Sequence, residues 1–221
     1  FSMEDDTFSE SPDNVCHSDA NVDVLKTSAL YGANASGKTN FIRAFTALIL
    51  MVRNSDMIQV GAPIQYAEPF AFCREKDSPS SFEVIFVRND KKYVYGVSVS
   101  SKKVCKEYLK VYNSQKPTLI FDRNNDKYTF PTSKDKSTLD MIAHMTPSNK
   151  LFLSSATTWN YSGTKEARLW FDSINTYDSF SWIKDSDLDE MKLEGNSLKP
   201  FVLKLLREAD MDIDDFEVEI K

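Results

Sequence analysis

Residues 27–53 read TSALYGANASGKTNFIRAFTALILMVR, and this stretch decides the fold. Its centre, Gly-Ala-Asn-Ala-Ser-Gly-Lys-Thr at positions 32–39, fits the phosphate-loop pattern G-x-x-x-x-G-K-[ST]. Upstream, the short apolar run at 27–31 predicts a buried strand that enters a glycine turn. Downstream, Phe41, Ile42, Phe45, Leu48, Ile49 and Val52 recur at helical spacing, which predicts an amphipathic helix over residues 38–53. Strand, glycine loop and helix in that order give each fixed position a chemical reason. Gly32 and Gly37 allow a tight turn and close backbone approach to phosphate. The amides of Ser36, Gly37, Lys38 and Thr39 should point inward at the positive end of the helix dipole. Lys38 should reach the β- and γ-phosphates, and the Thr39 hydroxyl should ligate Mg²⁺.

Outward from this loop, residues 54–80 read as loop and linker, with Pro63, Pro69 and Pro79. After Ser81 the period changes from helical to alternating. SFEVIFVR, KKYVYGVSVS, VCKEYLKVYN and PTLIFDR are rich in Val, Ile, Tyr and Phe and are separated by polar turns, which predicts antiparallel hairpins; DKYTF adds a further short strand. From Lys136 the chain turns helical, with Leu139, Ile142, Ala143 and Met145 on one stripe. Further helical segments are expected at 151–158 and 164–174, and another after an N-cap at Ser197, before an alternating end, DFEVEIK. The expected architecture is mixed α/β: a P-loop core over 1–60, an antiparallel lobe over 61–131, and a helical segment over 132–221 that returns to a strand.

Composition supports a soluble globular protein, with 41 % hydrophobic and 27 % charged residues. No apolar run approaches the roughly 18 residues that a membrane span needs. The acidic start, with Glu4, Asp5 and Asp6, is unlike a secretory signal. Three widely spaced cysteines (Cys16, Cys73 and Cys105) fit reduced thiols in a cytoplasmic protein. The net charge of −6 hides an uneven distribution, because residues 88–136 carry twelve Lys/Arg against five Asp/Glu, a local balance of +7. Such a segment is either an electrostatic footprint for nucleic acid or a set of lysine-studded strand faces.

Hydrolysis needs an acid at the end of a second strand to support Mg²⁺. Asp122, after Leu119, Ile120 and Phe121, is the nearest match, but it sits among hairpin strands and is followed by Arg123; its alternative is a strand acid paired with a lysine. Cys16 and His17, beside Asp13 and Asp19, make a poor metal cage. His144 reads as a structural helix-end residue. Trp159, Trp170 and Trp182 read as core or interface residues rather than base-stacking platforms. Gln65 lies where ABC-type ATPases place a glutamine that senses Mg²⁺ and the γ-phosphate.

The order ALYGANASGKTNFIRAF, then Pro69–Phe70, PSSFEVIF, YVYGVSV, Glu-Tyr-Leu, LIFDR, LFLSSATTWN and LWF resembles bacterial ATPases of the ABC/SMC-like class. These are AAA-type ATP-binding proteins of abortive-infection and related anti-phage systems. The resemblance spans nearly the whole chain, although only the P-loop is individually specific. It implies an SMC- or RecF-like head in which an antiparallel lobe flanks the P-loop core and two heads sandwich ATP. The implied ligands are ATP and Mg²⁺. The implied nucleotide contacts are Gly32, Ala33, Asn34, Ala35, Ser36, Gly37, Lys38, Thr39 and Asn40, with Gln65 joining them. Lys38 is implied as the catalytic residue and Thr39 as the Mg²⁺ ligand. The implied partners are a second head and an effector protein such as a nuclease, or nucleic acid. The family's opening Asn-Phe-Arg-Ser-like strand is not seen before Phe1. Its signature motif, Asp-Glu strand and switch histidine would fall after Lys221, so the chain resembles the N-terminal portion of a larger protein. A nucleotide-gated interaction module with little hydrolysis remains the alternative, and a P-loop kinase fits less well because its arginine-bearing lid is not evident.

Overall fold

The computed structural model describes residues 1–4, 12–18, 20, 22–34, 36–67, 78–113, 116–131, 135–176, 200, 203, 204 and 215. Contacts divide the chain into a unit of Phe1–Thr176 and a second of Tyr177–Lys221. In the second, Pro200, Leu203 and Lys204 are helical, within the helix expected after Ser197; the strand expected at the end lies outside the described residues.

The first unit is built on a five-stranded antiparallel meander. Strands β3 (Ser80–Arg88), β4 (Lys91–Val99), β5 (Val104–Tyr112), β6 (Pro117–Asn124) and β7 (Lys127–Thr129) lie in sequence order. These are the four predicted runs and the short addition. The turns between them suit hairpins: Asn89, Asp90 and Asn125 all have positive φ, which Asn and Asp tolerate better than most residues. Alternation along the strands puts Phe86, Tyr93, Tyr95, Val97, Leu109, Val111 and Phe121 on one buried face.

That face is covered by helices α1 (Lys38–Asn54), α2 (Lys136–Met145), α3 (Phe152–Thr158) and α4 (Ser162–Ser173). Trp170 of α4 stacks on Phe86 at 4.1 Å between ring centroids, and Phe171 meets Phe86 and Tyr95 edge-on. On α2, Leu139 and Ile142 are buried as expected. Met145 is exposed, because α2 ends there and Thr146 is already extended.

The N-terminal region departs most from expectation. Two-residue strands β1 (Val15–Cys16) and β2 (Val24–Leu25) pair with each other, and Glu4 bridges to Val24. The run at 27–31, expected to be a buried strand, is neither buried nor a strand: Leu30 is exposed and Tyr31 is 90 % exposed. A strand is held by its neighbours, and none of the described residues pairs with this one. Helix α1 shows the same asymmetry. Leu48, Ile49, Met51 and Val52 are buried in its C-terminal half, while Phe41 and Ile42 near its start are each 40 % exposed.

One buried ion pair ties these layers together. Glu107 of β5 and Arg123 of β6 sit opposite each other on the covered face, with side chains 0 % and 1 % exposed. The Glu107 carboxylate accepts from the first amides of α3, Phe152 N at 2.6 Å and Leu153 N at 2.9 Å, and from the Tyr95 hydroxyl at 3.1 Å. The carboxylate thus caps a helix whose own N-cap, Leu151, has no side chain able to do so. Arg123 donates to the carbonyls of Asn125, Lys150 and Ser148, which fixes the chain entering α3. Burial pushes the Glu107 carboxyl above its ordinary range; Arg123 and the two amides oppose that shift. The connection to α1 runs through the same place. Ser55 Oγ accepts from Leu151 N at 2.7 Å, and Ser154 Oγ donates to Val52 O at 2.8 Å. Breaking one partner of a buried pair typically costs about 3–5 kcal/mol, because the other charge is stranded. Glu107→Ala should therefore lower unfolding stability by about that amount, measured by denaturant titration. The double change Glu107→Met with Arg123→Met should not restore it, because the α3 amides and the carbonyls of Asn125, Ser148 and Lys150 then lose their partners.

Candidate functional site

The phosphate-loop motif is built on the free end of α1. Ser36 N donates to Ala33 O at 3.2 Å, which closes the turn, and Phe41 N to Gly37 O at 3.0 Å is the first helical bond. The amides of Lys38, Thr39 and Asn40 precede that bond, so they have no intrahelical acceptor, and among the described residues no side chain caps the helix. Gly37 is the N-cap, at φ 94°, a left-handed conformation that costs an L-residue roughly 1–2 kcal/mol. Gly32 has a different role: a Cβ there would lie 2.8 Å from Ser36 Oγ, inside the loop.

Lys38 folds back over its own loop, its Nζ donating to Gly32 O at 2.6 Å and to Ala33 O at 2.7 Å. The ammonium is thereby held within the turn instead of extending into solvent. Thr39 and Asn40 are exposed on the first turn of α1, and no hydrogen bond from either side chain is seen among the described residues. Asn34 is exposed at the loop's tip; Ala35 lies outside the described residues. The motif residues are therefore brought together as a single turn, with a positive helix end, a cation and a hydroxyl on it. This donor set suits a polyphosphate carrying a hard divalent ion, since it offers amides and an ammonium to the anion and a hydroxyl oxygen to the metal.

Gln65 lies in the segment between α1 and β3. It is exposed between buried Ile64 and Ala67, and no hydrogen bond links it to the loop among the described residues. Its approach is nonetheless rigidly held. Asn149 Nδ2 donates to Gln59 O at 2.8 Å and Ala62 O at 2.9 Å, and Ile64 N donates to Ser101 O at 2.8 Å. Asn149 was not legible as important from the sequence, because a lone Asn after Thr146–Pro147 looks like any turn residue. Glu107 and Arg123 could have been found: period-two alternation puts both on the same face as Leu109 and Phe121.

Asp122 does not end its strand. It lies within β6, registered with Tyr108 of β5 and Thr129 of β7, on the face opposite Arg123. His17 pairs with Asp23 at 3.0 Å within the β1–β2 hairpin, and no group of metal-binding side chains occurs among the described residues. Cys16 and Cys105 are free thiols; Cys73 lies outside the described residues. His144 is exposed at the end of α2. Trp170 is packed into the core, Trp159 is 58 % exposed, and Trp182 lies outside the described residues.

A helix end with unclaimed amides, a left-handed glycine at its cap and a lysine folded into the turn define a phosphate-binding loop of the nucleotidase type. The family described as "AAA domain, putative AbiEii toxin, Type IV TA system" matches residues 28–210, and the chain belongs to it. The chain thus carries an AAA domain, a nucleotide-binding domain of ATPase type, in keeping with the abortive-infection class that its motifs resemble. Searches of curated proteins and of solved structures gave no match. Among the described residues no helix is long and apolar enough to cross a membrane.

Two outcomes check this assignment of residues. Gly37→Ala should weaken nucleotide binding by about tenfold, the equivalent of 1–2 kcal/mol of left-handed strain, in a fluorescent-nucleotide titration. Asp122→Asn should change that affinity less than twofold; a loss comparable to Gly37→Ala would return Asp122 to the site.

Proposed function

We propose that the protein is an ATP-binding, Mg²⁺-dependent ATPase head of the ABC/SMC type, whose ATP-driven dimerisation controls an effector or DNA in anti-phage defence or DNA maintenance. The observation that carries this reading is the turn at 32–39, where unclaimed amides and Lys38 converge at the start of α1. In this role the amides of Gly37, Lys38 and Thr39 bind phosphate oxygens, and Lys38 exchanges its bonds to Gly32 O and Ala33 O for one to a terminal phosphate. Thr39 would hold a magnesium ion through its hydroxyl. When bound, magnesium would neutralise phosphate charge and orient the terminal group for attack by water.

Dimerisation is supported by exposure. Residues 30–34 are open to solvent, so this loop alone covers little of a nucleotide, and a second surface is needed to exclude water. In ABC-type heads a second head supplies that surface. The antiparallel meander beside the P-loop helix also suits that architecture. The competing reading, a nucleotide-gated module with little turnover, is favoured by one observation: among the described residues no carboxylate is hydrogen-bonded or ion-paired to the loop, where Lys38 bonds only to Gly32 O and Ala33 O.

Calorimetry with Mg·ATP separates these ideas from a loop that binds nothing. Lys38→Ala should weaken binding at least about tenfold, the loss expected for a charge-assisted hydrogen bond; unchanged affinity contradicts the site. Light scattering should then show the dimer mass with ATP and the monomer mass with ADP. A mass that ignores nucleotide would leave binding intact but remove the head-dimer mechanism.

A further inference from the structure

The +7 charge of residues 88–136 is not spread over the sheet, because the fold neutralises part of it internally. Arg88 pairs with Glu166 at 3.1 Å, Lys92 with Glu4 at 2.8 Å, and Arg123 with buried Glu107. Of the nine cations that remain, four gather at one end of the meander. Lys102 and Lys103 occupy the β4–β5 turn, Lys106 is near the start of β5, and Lys127 begins β7. Register places Lys106 opposite Asn124, and Asn124 opposite Lys127. With strands about 4.8 Å apart, the two ammonium stems rise about 10 Å from each other. The neighbouring turns are joined: Lys103 Nζ donates to Asn125 Oδ1 at 3.0 Å, and Asn125 N to Cys105 O at 2.8 Å. All four lysines are exposed, and among the described residues none forms an ion pair. Asp126 is the sole acid within the joined turns.

We infer that this end of the sheet, carrying Lys102, Lys103, Lys106 and Lys127, docks the phosphate backbone of nucleic acid without reading its sequence. Charge complementarity is the first reason: four unpaired cations within two joined turns attract a polyanion and release its counterions. The second reason separates nucleic acid from an acidic protein. Stable protein interfaces are anchored by buried aromatic or aliphatic groups, and no exposed large hydrophobic residue lies in these turns. Phosphate contacts need no such anchor. Lysines, as point charges without a planar fork, suit contact to phosphate rather than to base edges. This surface is separate from the nucleotide loop, so its test needs no ATP.

Anisotropy of a labelled duplex of about 30 base pairs, followed from 50 to 200 mM salt without nucleotide, tests the assignment. Four phosphate contacts predict a slope of log affinity against log salt of about −3.6, roughly a hundredfold loss across that range. The exposed-site variant Lys102→Gln/Lys106→Gln/Lys127→Gln should flatten the slope to about −1. The control Lys91→Gln/Lys116→Gln, at the opposite end of the sheet, should lower the affinity less and leave the slope at about −3.6. No binding at 50 mM salt, an unchanged slope in the triple variant, or displacement by polyglutamate as readily as by unlabelled duplex would each overturn the inference. Coincident thermal melts of variants and parent exclude misfolding as the cause.

Discussion

The carboxylate of Glu107 is the constraint on which the first unit depends. It lies within a sheet face of aromatic and aliphatic side chains, where an unpaired charge would be very costly. It is tolerated because three donors converge on it, two amides from α3 and the Tyr95 hydroxyl, with the Arg123 guanidinium 3.8 Å away as its counter-charge. Those partners come from β4, β6 and α3, so satisfying one charge fixes three elements at once. Arg123 extends the constraint by binding the carbonyls of Ser148 and Lys150, and so positions the chain entering α3.

From that hub the constraint reaches the nucleotide loop through α1. Ser55 and Val52 at the end of α1 are bonded to Leu151 and Ser154 at the start of α3. Arg53 donates to the carbonyls of Phe171, Asp172 and Ile174, capping the C-terminal end of α4. Helix α1 is therefore anchored firmly by its last turns, while its first turn, with Lys38 and Thr39, projects with its amides unclaimed. Stability is concentrated at one end and binding capacity at the other. An active-site loop commonly occupies the less constrained end in this way.

Much of this was legible in the sequence. The α1 periodicity, the strands read from alternation and the hairpin turns at Asn89–Asp90 and Asn125 needed only local rules, because each element's buried face is written in its own residues. The loop at 32–39 was legible for a stronger reason: Gly37 has to be glycine at φ 94°, and Lys38 has to be close to the turn that it closes. Two features were hidden. The run at 27–31 has strand composition, but whether it becomes a strand depends on a neighbour that no local pattern supplies. The roles of Asn149 and Ser55 depend on groups about 90 positions away, and polar turn residues give no sign of such partners.

In the proposed function the turn at 32–39 holds a triphosphate. The most direct test is a crystal structure of the protein with a non-hydrolysable ATP analogue and magnesium. The β-phosphate should lie within hydrogen-bond distance of the amides of Gly37, Lys38 and Thr39, with Lys38 Nζ at the terminal phosphate and Thr39 on the metal. Nucleotide bound elsewhere, or a loop whose amides face away from the phosphates, would contradict it.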